Sequence, residues 1–156
     1  MNKVTIGFAI AAIGILAVFV FARQAPKETA MTMQQKMATV PGDLDYSLTR
    51  TSMDNNYIVS IRSRLDPIAI NQIHQWEIQV KTPQGAPVDG AKVTIIGGMP
   101  MHKHGLPTAP RVTKDLDQGV YLLEGMKFNM AGWWELIVQI EAGSDQDKAT
   151  FNVILR

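Results

Sequence analysis

The segment His74-Gln-Trp-Glu-Ile-Gln-Val-Lys81 decides the fold, because apolar and polar side chains alternate along its whole length. In an extended chain, successive side chains point to opposite faces, so an alternation with a period of two separates the two kinds of residue. The segment is therefore predicted to be a β-strand with one buried face and one wet face. His74 shares the phase of Trp76 and Ile78, and we expect it to be a buried or edge histidine with a hydrogen-bond partner.

The same alternation recurs along the chain after Asp43, and turn-forming residues separate the alternating segments. About seven short strands with no long helical period predict an all-β protein, an antiparallel β-sandwich, with a closed barrel as the alternative. The strand-like segments lie near residues 57–61, 74–81, 93–96, 111–116, 119–123, 134–140 and 151–155.

The first 23 residues have a different character. Val4 to Ala22 is a run of 19 residues in which Thr5 is the only polar side chain, with Lys3 and Arg23 at its two ends. At about 1.5 Å per residue, a helix of this length just spans a hydrocarbon core of roughly 30 Å. We expect one N-terminal transmembrane helix in residues 1–23, retained rather than cleaved as a signal peptide, then a linker over residues 24–42 and the sandwich domain over residues 43–156.

The charges on the two sides of this run do not fix the orientation of the predicted helix in the membrane. Lys3 precedes the apolar run, whereas Arg23, Lys27 and Lys36 follow it, and the positive-inside rule taken alone would keep the large domain in the cytoplasm. We nevertheless expect a single-pass protein of the inner membrane with a periplasmic C-terminal domain, since domains can translocate largely regardless of nearby charge. The formal net charge of the chain is +1 and no basic patch emerges, which argues against a nucleic-acid partner.

One short segment points to metal chemistry. Met99-Pro-Met-His-Lys-His104 holds two of the nine methionines and two of the three histidines, in a chain without cysteine. Thioether sulfur and imidazole nitrogen are ligands that Cu(I) accepts readily. If the segment is extended, Met99 and Met101 share one side and His102 and His104 the other. One metal ion cannot bind side chains on both sides unless the loop turns, which Pro100 and Gly105 would allow. A ligand set of Met101, His104 and one further residue is therefore more realistic than the whole motif.

A second segment, Gly125 to Trp134, offers that further ligand. If the two loops lie at the same end of the sandwich, Met126 or Met130 beside His102 or His104 would complete a mixed thioether–imidazole site. The alternative is that both methionines fill the core, as methionine often does, and that the first loop is an ordinary solvated turn.

The sequence leaves three functions open. The first is copper binding, and the second is a metal-free interaction module whose loop contacts a membrane protein. The third is a small-ligand domain that uses the ring of Trp133 or Trp134, which point to opposite faces if extended. The histidines cluster and no nucleophile-elbow sequence is present, so we do not expect an enzyme.

Four motifs carry a resemblance to a known family. They are Trp76-x-Ile-x-Val80, Pro87-Val-x-Gly-Ala91, Gly97-Gly-Met-Pro-Met-His-x-His104-Gly-Leu-Pro107 and Gly125-Met-x-Phe-x-Met130-x-Gly-Trp-Trp134. Over about residues 70–155 the chain resembles the FixH/YtkA-like family of membrane-anchored extracytoplasmic domains.

The resemblance implies an immunoglobulin-like sandwich outside the membrane and a chaperone role in copper supply and the assembly of cbb3-type cytochrome oxidases. It also implies a copper-receiving membrane partner such as an oxidase subunit. Carried over by position, the implied copper ligands are Met99, Met101, His102, His104, Met126 and Met130.

Overall fold

The computed structural model describes residues 40–156, which form one compact unit. The predicted membrane span and nearly all of the predicted linker lie outside the described residues. In the described part no helix is long and apolar enough to cross a membrane. The strands are β1 (Thr49–Thr51), β2 (Ile58–Ser63), β3 (His74–Lys81), β4 (Lys92–Met99), β5 (His104–Gly105), β6 (Arg111–Asp115), β7 (Val120–Met126), β8 (Gly132–Ala142) and β9 (Asp145–Leu155).

The strands form two antiparallel sheets, which confirms the predicted all-β sandwich for residues 40–156. Sheet A has the order β1-β2-β3-β7-β6, and sheet B has the order β5-β4-β8-β9. The sequence prediction of about seven strands is two short of the nine that the structure has. The two additional strands, β1 and β5, have three and two residues, which is too short for an alternating pattern to show.

The core lies between the two sheets and is built by the alternation that predicted the strands. Along β3 every second side chain is buried, beginning at His74. Trp76 from sheet A and Trp134 from sheet B are almost completely buried, together with Phe128 and Phe151. Each apolar side chain of this kind contributes about 1.5–3 kcal/mol when it is removed from water, so these rings fix how the two sheets face each other.

Tyr121 ties the connection between β3 and β4 to sheet A. Its buried hydroxyl donates a hydrogen bond to the carbonyl oxygen of Val88 at 2.6 Å and accepts one from the backbone N–H of Ala91 at 2.9 Å. Burial raises the pKa of the Tyr121 hydroxyl, so the hydroxyl keeps its proton and its donor role at neutral pH.

Candidate functional site

The methionine–histidine segment is a tight hairpin rather than an extended stretch. Strand β4 ends at Met99 and β5 begins at His104, and the turn between them spans residues 100–103. The carbonyl oxygen of Met99 accepts hydrogen bonds from the backbone N–H groups of His102 at 3.0 Å and Lys103 at 2.9 Å. Lys103 has a φ of 55°. The turn brings the two ends of the motif next to each other.

Two glycines of β4 allow its neighbouring strands to lie close, Gly98 on the side of β5 and Gly97 on the side of β8. A Cβ atom on Gly98 would lie 2.4 Å from the carbonyl oxygen of His104, and one on Gly97 would lie 2.6 Å from the side chain of Leu136. Gly98 is also the register partner of Gly105. Any side chain at position 98 would push the second strand of the hairpin away, so the position of His104 depends on this glycine.

Met99 and His104 are direct cross-strand partners. Side chains of such pairs lie on the same face with Cβ atoms about 5 Å apart, and this face is the inner one. Met99 is 2% exposed and belongs to the core. The ring of His104 meets that of Trp134 edge-on, with 5.6 Å between the ring centroids. The thioether of Met99 and the imidazole of His104 therefore lie side by side at the end of the core, in a half-buried position.

The two nitrogens of His104 have different surroundings. Nδ1 lies 3.1 Å from the carbonyl oxygen of Gly105, and because a carbonyl can only accept, Nδ1 is the donor. In the neutral imidazole this leaves the lone pair on Nε2, which is the form in which histidine binds a metal. Nε2 is buried and has no hydrogen-bond partner in the described part of the protein. A buried polar atom of this kind usually has a partner.

His102 and Met101 lie in the turn itself. His102 is exposed, and its ring stacks on that of His104 with a centroid distance of 6.0 Å and an interplanar angle of 27°. Met101 is half-buried. The prediction that Met99 and Met101 share one side and the histidines the other assumed an extended chain. The segment turns instead, which pairs Met99 with His104 and stacks the two imidazole rings.

Met130 lies in the loop between β7 and β8, at the same end of the sandwich as the hairpin. Strand β8 begins after this loop and pairs with the last part of β4 through Gly98 and Glu135. The carbonyl oxygen of Met130 accepts a hydrogen bond from the indole N–H of Trp134 at 3.1 Å. Because the same indole contacts His104, Trp134 links the two loops. The side chain of Met130 is 39% exposed.

Met126 has a different position from the other implied ligands. It is completely buried at the end of β7 in sheet A, where its register partner is His74. A β-bulge lies between the pairs His74–Met126 and Trp76–Leu123. The β7 members of these pairs are three positions apart and the β3 members are two positions apart, so the bulge turns Met126 inward where a regular strand would turn it outward. Gly125, with a φ of 85°, supplies the backbone conformation for this bulge.

The two tryptophans point to opposite faces of β8, as the alternation predicted. Trp134 is fully buried between the sheets, and its ring meets Phe128 at 5.1 Å as well as His104. Trp133 lies on the other face of the strand, where its indole N–H donates to the side-chain oxygen of Asn152 at 3.0 Å. Trp134 is the tryptophan that borders the hairpin, and Trp133 holds β8 to β9.

Residues 40–156 contain no group of three or more histidine, aspartate or glutamate side chains that could hold a metal ion. The donors that converge at the hairpin are imidazole nitrogens and thioether sulfurs. Sequence reasoning missed two features here: the pairing of Met99 with His104, and the unpartnered state of the buried Nε2 atom. The first signal was present as Gly97-Gly98 before the motif and Gly105 after it, a spacing that fits a closely packed hairpin.

The fold and the site define a small antiparallel β-sandwich that carries a methionine–histidine hairpin at one end of its core. A family model described as YtkA-like matches residues 51–139, which is more than half of the 156-residue chain. The chain therefore belongs to the YtkA-like family. No curated protein and no solved structure matches it.

Proposed function

We propose that this protein binds Cu(I) at the hairpin and carries or sequesters it, as a binding protein rather than an enzyme. The observation that supports this function best is the Nε2 atom of His104. It is buried, it has no hydrogen-bond partner, and the contact of Nδ1 with a carbonyl leaves its lone pair available. An unpaired buried nitrogen costs about 1–3 kcal/mol, and a bound metal ion would remove this cost.

The surroundings of His104 favour a soft cation. The thioether of Met99 is its cross-strand partner, the second imidazole of His102 stacks beside it, and the electron-rich ring of Trp134 borders it. Cu(I) accepts imidazole and thioether ligands, and a cation near an indole is stabilised by the ring. We infer a ligand set of His104 with Met99, Met101 or His102, and Met130 as a ligand that the neighbouring loop supplies.

The position of the proposed copper site, partly buried and partly exposed, suits a metal carrier. His102 and Met130 are exposed, so a partner protein can reach the metal from outside. Met99 and His104 are held by the core and by the hairpin, so part of the coordination sphere is formed before the metal arrives. A carrier needs both properties, because it must select its metal and then release it.

The cellular setting is part of the proposal. We infer an immunoglobulin-like sandwich on the outer side of the inner membrane, anchored by a single span within residues 1–23. The resemblance to FixH-type proteins supports delivery of copper to a membrane partner such as a cytochrome oxidase subunit. The near absence of net charge and of basic patches fits a protein partner better than a nucleic acid.

The direct test is a titration of the purified full chain with Cu(I) against a competing chelator. Replacing Met101 with Leu and His104 with Gln removes one sulfur and the unpartnered imidazole at similar volume. We expect the affinity to fall at least tenfold, or about 1.4 kcal/mol. Met53→Leu is the matched control, since Met53 is 68% exposed in the turn between β1 and β2, at the other end of sheet A. Equal affinities in the wild type and the double variant would contradict the proposal.

A metal-free interaction module is the second candidate function. Ile96 is 51% exposed on the outer face of sheet B, beside a shallow groove that continues to Pro100 and Glu135. Ile137, the register partner of Ile96, lines the same groove, and adjoining apolar side chains at the surface are a feature of contact surfaces. Wild-type protein that binds no Cu(I) above the level of the double variant would favour this function.

A further inference from the structure

Three buried side-chain nitrogens in residues 40–156 have no hydrogen-bond partner, and one of them is Nε2 of His104 in the hairpin. The other two are Nε2 of His74 and Nε1 of Trp76. These residues are two positions apart in β3, so they face the same side, and their ring centroids are 6.2 Å apart. Nε2 of His74 can offer a lone pair, whereas the indole N–H of Trp76 can only donate, so Nε2 is the one of these two neighbouring atoms that can ligate a metal ion.

His74 is held in the form that binds metals. Its Nδ1 lies 3.0 Å from the carbonyl oxygen of Gln72, so Nδ1 is the donor and the neutral ring has its lone pair on Nε2. The residue is 7% exposed. The Nδ1 contact with a backbone carbonyl is the same arrangement that His104 has, and it is common for histidines that ligate metals.

Met126 supplies a sulfur opposite this imidazole. The two residues are register partners and both are buried, so their side chains lie on the inner face of sheet A with Cβ atoms about 5 Å apart. The bulge at Gly125 turns Met126 to this face. Bulges are over-represented next to functional sites because they change the direction of a side chain.

Aromatic rings form the rest of the wall. Phe128 lies 5.9 Å and Trp76 lies 6.2 Å from the ring of His74, and these two rings are 6.2 Å from each other, so the three form a triangular cluster. A trapped water would accept from the indole of Trp76 and donate to Nε2 of His74, but the thioether and the phenyl ring offer it only weak further partners. Buried waters typically make about three hydrogen bonds. A soft cation would use Nε2 of His74, the sulfur and the faces of the rings together, while the indole N–H of Trp76, a donor, would take no part in binding it.

We propose a second soft-metal site in the interior of the sandwich, with Nε2 of His74 and the sulfur of Met126 as its ligands for Cu(I) or a chemically similar ion. The inference rests on the proposed function for the choice of metal, but it uses none of the hairpin side chains. The site lies beneath the same end of the sandwich as the hairpin, and Phe128 and Trp134 separate the two sites. The protein would thus hold one metal ion at its surface and a second in its core.

The sequence makes the test direct, because His74, His102 and His104 are the only three histidines in the chain. The full chain in detergent is titrated with Ag(I), which serves as an air-stable probe for Cu(I), and the imidazole nitrogens are followed by NMR. We expect the Nε2 resonances of His104 and His74 to shift in two separate steps. This measurement on the wild type needs no variant that might fail to fold.

Met126→Leu is the matched variant, since it conserves volume in the core while removing the sulfur. We expect it to weaken the His74 step at least about tenfold and to leave the His104 step unchanged. If the His74 resonance does not move while that of His104 does, the interior site is refuted and the proposed function stands. If His74 shifts equally in Met126→Leu, the pairing with Met126 is refuted. If only His74 moves, the hairpin site is refuted and the interior site stands. If no imidazole shifts, both proposals are refuted.

Discussion

Gly98→Ala is the substitution whose effect the structure defines most closely. The added methyl group would lie 2.4 Å from the carbonyl oxygen of His104 and 3.2 Å from the Cα atom of Gly105. Side-chain Cβ atoms essentially never approach other atoms below 3.0 Å, so the carbonyl must retreat by at least the difference of about 0.6 Å. The atom that must move is backbone, and it belongs to the residue whose imidazole we place at the metal.

Overpacking of this kind typically costs about 1–3 kcal/mol. The hairpin is short and lies at the edge of sheet B, so it relieves the clash by opening, and we expect a loss near the lower end of that range. Opening the hairpin moves His104 away from Met99 and Trp134. We therefore expect Cu(I) affinity to fall at least about tenfold, which corresponds to about 1.4 kcal/mol.

Gly105→Ala is the control within the same hairpin. A Cβ atom there would meet its nearest neighbour, the carbonyl oxygen of Gly97, at 3.4 Å, and Gly105 does not have a positive φ. We expect its stability to stay within about 0.5 kcal/mol of the wild type. Urea unfolding of the metal-free proteins and Cu(I) competition measure the two effects. If Gly98→Ala and Gly105→Ala behave alike in both assays, the close approach of β5 to β4 does not position His104 and the reasoning is refuted.

Three further predictions concern the sandwich and its location. Tyr121→Phe leaves the buried backbone N–H of Ala91 without its acceptor, and urea unfolding should show a loss of about 1–3 kcal/mol; an unchanged stability would contradict the role of the hydroxyl. Burial raises the pKa of Asp147, but the hydrogen bonds that its carboxylate accepts, including those from the backbone N–H groups of Asp54 and Lys148, outweigh burial and lower the pKa below its ordinary value of 3.8. The carboxylate therefore stabilises the fold above about pH 4 and loses this effect as the pH falls through the lowered pKa. Asp147→Asn should be less stable than the wild type at neutral pH by about 1–2 kcal/mol. A difference in stability that does not change with pH would refute this account. A reporter that is active only outside the cytoplasm, fused after Arg156, should be active, whereas activity from a cytoplasmic reporter alone would show that the positive-inside rule determines the orientation.

Most of the fold was predictable because one physical pattern repeats in it. A strand with one face in the core needs apolar side chains at every second position, and β3 follows this rule from His74 to Val80. The short strands β1 and β5 were not predictable, because three and two residues cannot display a period. Their existence depends on backbone pairing with a neighbouring strand, which the side chains do not encode.

The candidate site was predictable in composition but not in geometry. The residue types of Met99 and His104 indicated a soft metal, yet their pairing depends on the conformation of a four-residue turn. The inward direction of Met126 depends on one extra residue in β7, since a register shift of one residue moves a side chain to the other face. The unpartnered nitrogens of His74 and His104 become visible only when all neighbours are in place.

Anomalous X-ray diffraction from crystals of the Cu(I)-loaded chain tests the central claim most directly. It locates the metal without any substitution and without assuming an affinity. The account predicts an anomalous peak within bonding distance of Nε2 of His104, with a methionine sulfur beside it. A peak elsewhere with none at His104, or no peak in crystals that were loaded under conditions that saturate a Cu(I) carrier, would contradict it.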